Sequence, residues 1–241
     1  MSAGRCEVAR LARDGNVVEI EAGDYHHDVA IWEQARLTIS GVGGAARLLA
    51  GGRNAEGKAI WVIRNGDFDV ANIDFIGTRA SDMNGAGIRF EGGRLRLRRC
   101  LFWNNQMGLV SSNDSPGPRS ELIIEDSEFA YSHVDGKHWG HNLYVDSMRA
   151  LTITGSYFHR AGIGHLLTVA NDVRADWEDL RMPARQDYRL ARSTATTAYQ
   201  PLGDTLQGRR LVPDAQYVHP HTTRRLSSAP SLVGALQDQP P

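Results

Sequence analysis

Val70-Ala71-Asn72-Ile73-Asp74-Phe75, Leu97-Arg98-Arg99-Cys100-Leu101-Phe102, Ile124-Glu125-Asp126-Ser127-Glu128-Phe129 and Ile153-Thr154-Gly155-Ser156-Tyr157-Phe158 share one spelling: an aliphatic residue, four variable positions, a phenylalanine. From one phenylalanine to the next the intervals are 27, 27 and 29 residues. A near-fixed period in the range of roughly 20–50 residues is the mark of stacked structural units. Short strand-like runs at that period, separated by Gly, Asn and Asp, predict a parallel β-helix. A β-sandwich needs no single phenylalanine column at a fixed period, so the register argues against that alternative.

Each repeat holds a second strand-like run about ten residues earlier: Ala59-Ile60-Trp61-Val62, Gly87-Ile88-Arg89-Phe90, Gly108-Leu109-Val110-Ser111, Asn142-Leu143-Tyr144-Val145 and Leu166-Leu167-Thr168-Val169. Alternation predicts Ile60/Val62, Ile88/Phe90, Leu143/Val145 and Leu167/Val169 inside, with Trp61, Arg89, Val110, Tyr144 and Thr168 as an outward column. Equivalent residues on successive coils would sit about 4.8 Å apart, which stacks Phe75, Phe102, Phe129 and Phe158. Gly57, Gly85, Gly140 and Gly164 precede these runs, where a corner needs positive φ or close backbone approach. The pattern extends backwards through Leu37-Thr38-Ile39-Ser40-Gly41 and Val18-Glu19-Ile20.

The expected fold class is therefore all-β: a right-handed parallel β-helix over residues 15–170. Residues 1–14, with Val8, Leu11 and Ala12 at helical spacing, read as a short amphipathic helix covering the open first coil. From about Asn171 the period stops, and residues 171–241 read as an irregular C-terminal cap or tail.

Composition narrows the function classes. With 41% hydrophobic residues and mean hydropathy −0.39 the chain can hold a core and contains no run apolar enough to span a membrane. A formal charge of −1 gives no basic balance to recruit nucleic acid. The arginine run Arg94-Leu95-Arg96-Leu97-Arg98-Arg99 reads as a solvated strand face. Cys6 and Cys100 make no disulfide framework; Cys100 shares the column of Ile73, Ser127 and Ser156 and reads as a small core residue.

Loop lengths place a candidate cleft. The loops 76–86 and 130–141 are long and lie on the same corner two coils apart, about 10 Å, with a shorter loop between them. That shape suits an extended polymer. Its floor would be Trp103, Asn104, Asn105, Gln106 and Met107. One wall carries Arg79, Asp82 and Asn84, the other His133, Asp135, Lys137, His138, Trp139 and His141. Tryptophan rings offer flat platforms to sugar faces, and Asn, Gln and Asp pair hydroxyls. His141 and His165 each follow a corner glycine and read as neighbours on adjacent coils, where one imidazole disfavours protonation of the other. A metal site remains open in this reading, its ligands undetermined.

Several stretches resemble a known group. Asp14-Gly15-Asn16-Val17-Val18-Glu19-Ile20-Glu21-Ala22-Gly23-Asp24-Tyr25, Asn84-Gly85-Ala86-Gly87-Ile88-Arg89 and Gly155-Ser156-Tyr157-Phe158-His159 are similar to bacterial right-handed parallel β-helix proteins of the pectin-lyase-like superfamily. The resemblance spans about residues 6–170 and implies the fold more than the reaction, because that fold hosts lyases, hydrolases, epimerases and adhesins. Asp187-Tyr188-Arg189-Leu190 through Gln216-Tyr217-Val218-His219-Pro220 is similar to the far C-terminal end of longer members. Members usually carry more coils and an export signal, which implies an extracellular or periplasmic setting. No signal peptide precedes Cys6, so the chain as it stands reads as cytoplasmic and short of several coils. The aspartate trio of polygalacturonases and the arginine-rich signature of pectate lyases are missing. Asn84–Arg89 is similar to the strand of alginate lyase and chondroitinase B relatives that carries a charge-neutralising arginine, without that motif's acidic residue.

The resemblance implies a carbohydrate-active protein, with an acidic polysaccharide as partner and β-elimination as the reaction. That chemistry needs a cation on the uronate carboxylate, a base for the C5 proton and an acid for the leaving oxygen. Arg89 or Lys137 is the expected cation and His141 the base, with Tyr144 as base or acid. Trp103, Asn104, Asn105, Arg79, Asn84, His138, Trp139 and His165 are the expected substrate contacts. Ca²⁺ held by Asp135 and Asp146 would do the same electrostatic work. The alternatives are a non-catalytic glycan-binding or surface module and an inactive short family member.

Overall fold

The computed structural model describes residues 7–111, 120–136, 140–146, 148–162, 166–169, 174–178 and 189–190, the last two segments and residue 169 by backbone alone. Helix α1 (Glu7–Leu11) precedes β1 (Val17–His26), β2 (Ala30–Trp32) and β3 (Arg36–Leu49). A three-strand unit then recurs: β4 (Ala59–Ile63), β5 (Gly66–Ala71) and β6 (Ile73–Ile76); β7 (Ala86–Phe90), β8 (Gly93–Arg98) and β9 (Leu101–Trp103); β10 (Met107–Ser111), β11 (Glu121–Glu125) and β12 (Glu128–Ala130); β13 (Leu143–Val145), β14 (Ala150–Thr154) and β15 (Tyr157–His159). After them come β16 (Leu167–Val169), β17 (Arg174–Glu178) and β18 (Arg189–Leu190).

Every inter-strand pair in these sheets is parallel, and each strand pairs with its copy one coil away. The first strands of the units form a seven-stranded sheet ordered β2-β4-β7-β10-β13-β16-β18. The second and third strands form two further faces, joined because the long β3 pairs with both β5 and β6. The result is a parallel β-helix with three walls, right-handed as strand–crossover–strand connections in one sheet are. The ladder runs beyond residue 170: β17 pairs with β14 and β18 with β16.

Side-chain alternation builds the core. Leu95, Leu97, Leu122, Ile124, Leu151 and Ile153 point inward from the second wall and are buried. The phenylalanines of the third wall stack as the period requires. Phe75–Phe102, Phe102–Phe129 and Phe129–Phe158 have ring centroids 4.9, 4.3 and 4.6 Å apart and are within 15° of parallel. Trp61 caps the column edge-on at 5.0 Å from Phe75, and Trp32 meets Trp61 at 5.2 Å. Each buried ring contributes roughly 1.5–3 kcal/mol by burial alone. Gly87 makes room for the column: a Cβ there would stand 2.7 Å from the Phe102 ring and 2.9 Å from Phe75 Cβ. Gly108 does the same for Phe129 one coil on.

Corners are closed by polar ladders. Cys100 N–H donates to Ser127 Oγ and Ser127 N–H to Ser156 Oγ, both at 3.1 Å. Cys100 is buried, and burial pushes its thiol up to about 12, so it is inert as a nucleophile. Asn72, Arg99, Asp126 and Gly155, one per coil, all turn with φ between 47° and 56° to link the second wall to the third. The arginine run is answered by its neighbours: register sets Arg94 between Asp67 and Glu121, and Arg96 donates two 2.9 Å bonds to Glu125.

One expectation is corrected. In β4 the phase is shifted by one residue. Trp61 pairs with Ile88 and Val62 with Arg89, so Trp61 is inside at 2% exposure and Val62 takes its place in the outward column. All five β4 residues are apolar and buried, so alternation carries no phase there; the Trp61 ring fits over Phe75 instead. At the N-terminus the described part of α1 runs Glu7–Leu11, with Ala9 buried and Val8 and Leu11 45% and 64% exposed. The side-chain amide of Gln34 holds the helix end by donating to Ala9 O and Ala12 O. No helix among the described residues is long and apolar enough to cross a membrane.

Candidate functional site

The outer face of the seven-stranded sheet carries one column of special composition. Register aligns Val62, Arg89, Val110, Tyr144 and Thr168 on β4, β7, β10, β13 and β16. Beside it lies a pocket of about 320 Å³ lined by Asn84, Arg89, Met107, Val110, Ser111, His141, Tyr144 and Asp146. Three successive coils contribute: β7 supplies Arg89, β10 supplies Met107, Val110 and Ser111, and β13 with its flanks supplies His141, Tyr144 and Asp146.

Arg89 is half-buried. Its Nε has no hydrogen-bond partner among the described residues and lies 3.9 Å from Glu91 Oε1. Glu91 is itself held by Lys58 Nζ and Arg64 Nε, each at 2.8 Å. Burial would raise the Glu91 carboxyl, but the hydrogen bonds from Lys58 and Arg64 outweigh it and hold the group below the usual carboxylate range. Arg64 also reaches Glu33 and Glu56, and Arg89 stands at the edge of this network where it lines the pocket.

On the opposite side the His141 ring is buried 5.7 Å from the Tyr144 ring, and Thr168 Oγ1 stands 3.4 Å from His141 Nδ1. The backbone of His141 donates to Met107 Sδ at 3.2 Å. Burial raises the Tyr144 phenol above its usual range, and the charge of Asp146 raises it further. Asp146 is fixed by Ser111, whose Oγ accepts from Asp146 N–H at 2.6 Å and donates to Asp146 O at 3.0 Å. A protonated phenol, an imidazole and a guanidinium thus border one cavity. Together they can hold an anion, donate a proton and accept one.

The structure brings Arg89, His141, Tyr144 and Asn84 into this pocket; Lys137, His138, Trp139 and His165 lie outside the described residues. The other expected contacts stand elsewhere. Asn105 is fully buried: its Oδ1 accepts from Thr78 N–H and its Nδ2 donates to Phe75 O, so it is a rung-to-rung tie and not a substrate contact. Arg79 donates to Thr78 O, Asn104 O and Asn104 Oδ1, which engages both Arg79 and Asn104 within the corner. Burial lowers the Arg79 guanidinium from its usual value. Trp103 packs on Tyr131 at 4.3 Å, on the third wall and away from the pocket. Of the expected cleft floor, Met107 borders the pocket, while Trp103, Asn104 and Asn105 are engaged in the corner. Asp135 is exposed, 3.7 Å from His133, and does not border the pocket with Asp146. No group of three or more His, Cys, Asp or Glu among the described residues is placed to hold a metal ion.

Sequence reading missed Ser111 and Asp146 as members of one lining; Met107 was expected on the cleft floor and Val110 in the outward column, and both border the pocket. Ser111 carried a usable signal: it pairs with Phe90 in an inward apolar column that it interrupts with a hydroxyl. No family model matches this chain, and no curated protein or solved structure matches it.

Proposed function

We propose that this parallel β-helix is a carbohydrate-active protein of pectin-lyase-like type that binds an acidic glycan in the Arg89–Tyr144 pocket and cleaves it by β-elimination. The observation carrying this reading is Arg89 on the wall of a cavity shared with His141 and Tyr144, its buried Nε making no hydrogen bond among the described residues and only a 3.9 Å ion pair with Glu91. A buried guanidinium N–H without an acceptor is costly, and a carboxylate is its natural complement. A cavity of about 320 Å³ is at the small end of ligand pockets and suits one or two sugar rings.

In this reading Arg89 neutralises the uronate carboxylate and acidifies the C5 proton. His141 takes that proton, the electron pair forms the C4–C5 double bond, and the C4–O bond breaks. Tyr144, kept protonated by burial and by Asp146, gives its proton to the leaving oxygen. Ca²⁺ is no part of this scheme. An extracellular or periplasmic setting fits a polymeric substrate.

Incubation with alginate, pectate and glycosaminoglycans, followed by the ultraviolet absorbance of unsaturated uronate, tests the proposal. A rise is expected with one of them, reduced about 10²–10⁴-fold in Tyr144→Phe and in His141→Ala. Binding with no absorbance rise would replace the lyase by a glycan-binding module on the same pocket. That second reading is favoured by the burial of the His141 ring, which limits its approach to a substrate carbon.

A further inference from the structure

Arg89 shares an acceptor with a lysine that is not among the residues lining the pocket. Lys58 Nζ donates to Glu91 Oε1 at 2.8 Å, and Arg89 Nε stands 3.9 Å from that same oxygen, too far for a hydrogen bond. The other carboxylate oxygen, Oε2, accepts from Arg64 Nε at 2.8 Å. The two cations that hold Glu91 closely therefore flank β4, Lys58 before the strand and Arg64 after it, while Arg89 lies on β7 and Glu91 just past its end. The ladder fixes this arrangement: Ala86 N–H donates to Lys58 O and Glu91 N–H to Ile63 O, each at 2.8 Å. Burial opposes the charge on Glu91, but Lys58 and Arg64 outweigh it and keep the carboxylate ionised, so it competes for any cation within reach.

We infer that Lys58 is a positioning residue for the anion site: by occupying Glu91 Oε1 it keeps Arg89 from closing on Glu91 and leaves that guanidinium to the carboxylate of a ligand. This rests on the acidic-glycan reading above and adds what sets the affinity of the site. Arg89 has two carboxylates to choose between, one built into the chain and one brought by the ligand. The built-in one loses no translational freedom on pairing, so it wins unless its oxygen is already taken. A carboxylate beside a binding arginine often serves to orient it, and its removal then weakens binding. Here the roles are reversed: Glu91 is the competitor, and Lys58 blocks it. Lys58 acts from outside the lining, so its effect passes through Glu91.

The test is a magnetic-resonance titration of the full chain, carrying isotope-labelled arginine, with sodium glucuronate and with glucose as the neutral control. The Arg89 Nε–H resonance is assigned by its loss in Arg89→Met. Glucuronate is expected to move it in the unaltered chain, and glucose to leave it in place. In Lys58→Met the resonance should stand shifted before any sugar is added, because Nε then donates to Glu91, and glucuronate should bind about tenfold more weakly. Glu91→Gln, alone or combined with Lys58→Met, should bind glucuronate at least as tightly as the unaltered chain. An unmoved resonance in sugar-free Lys58→Met would overturn the inference, and weaker binding there without that shift would reduce Lys58 to bulk positive charge. Weaker binding in Glu91→Gln would overturn it as well, by making Glu91 the orienter of Arg89; this arm leaves Lys58 unchanged, so the test survives a misfolded Lys58→Met variant. All of these outcomes leave the acidic-glycan site standing. If glucuronate does not move the Arg89 resonance of the unaltered chain, the site reading falls and this inference falls with it.

Discussion

Tyr144 shows how one address in a repeat acquires chemistry. Its column position is an ordinary outward strand site, yet burial and the neighbouring carboxylate raise its phenol above the ordinary 10.0. The folded chain therefore holds this proton longer than the unfolded chain does. The linked stability is fully present below the ordinary value and is lost as pH rises through the higher, folded one. Ultraviolet titration of phenolate should find one tyrosine ionising late, absent from Tyr144→Phe and shifted back toward the others in Asp146→Asn; an unshifted titration in Asp146→Asn would remove the electrostatic part of the argument. At this scale the sequence was partly legible. Arg89 and Tyr144 were readable because alternation assigns a face to each strand residue. Asn105 was not, because a polar residue in a corner looks the same whether it meets solvent or a neighbouring rung's backbone. Only the coordinates show its amide bonded to Phe75 and Thr78.

At the level of the strand ladder, the phenylalanine column carries a large share of the packing. Phe102 has a near-parallel ring on either side, at 4.9 and 4.3 Å, and no exposure. Phe102→Ala is expected to cost about 3–5 kcal/mol in urea denaturation, because the rings above and below lose a shared neighbour and the backbone ladder resists collapse. A loss below about 1 kcal/mol would mean that the column is not a principal source of stability. The column was visible from spacing alone, since a fixed period forces equivalent residues into superposition. The register of β4 was hidden: an all-apolar strand has no polar residue to mark its outer face, and the choice fell to the fit of Trp61 over Phe75. Loop length tells which corner is long but not which strand residues join it, and the pocket combines Asn84, Met107 and His141 of the expected cleft with Arg89 and Tyr144 of the outward column.

For the whole molecule, contacts run almost entirely between adjacent coils, so stability is close to a sum of rung terms and nearest-neighbour terms. Amide hydrogen exchange should be slowest in β6, β9 and β10 and faster toward β1 and β18, as end strands have one partner fewer. Uniform protection along the axis would instead indicate a single all-or-none unit. The architecture as a whole was legible because it is one short rule repeated. What the rule does not encode is where three rungs depart from it together, and the pocket lies at such a departure.

The equal 27-residue steps from Phe75 to Phe102 to Phe129 have an evolutionary corollary. A duplicated or excised turn of that length rejoins the same phenylalanine column, so such a lineage can lengthen or shorten like an accordion without redesigning its interior. The cavity enjoys no such freedom: it borrows from three neighbouring turns, and losing any one of them would leave a sound scaffold with its chemistry dispersed.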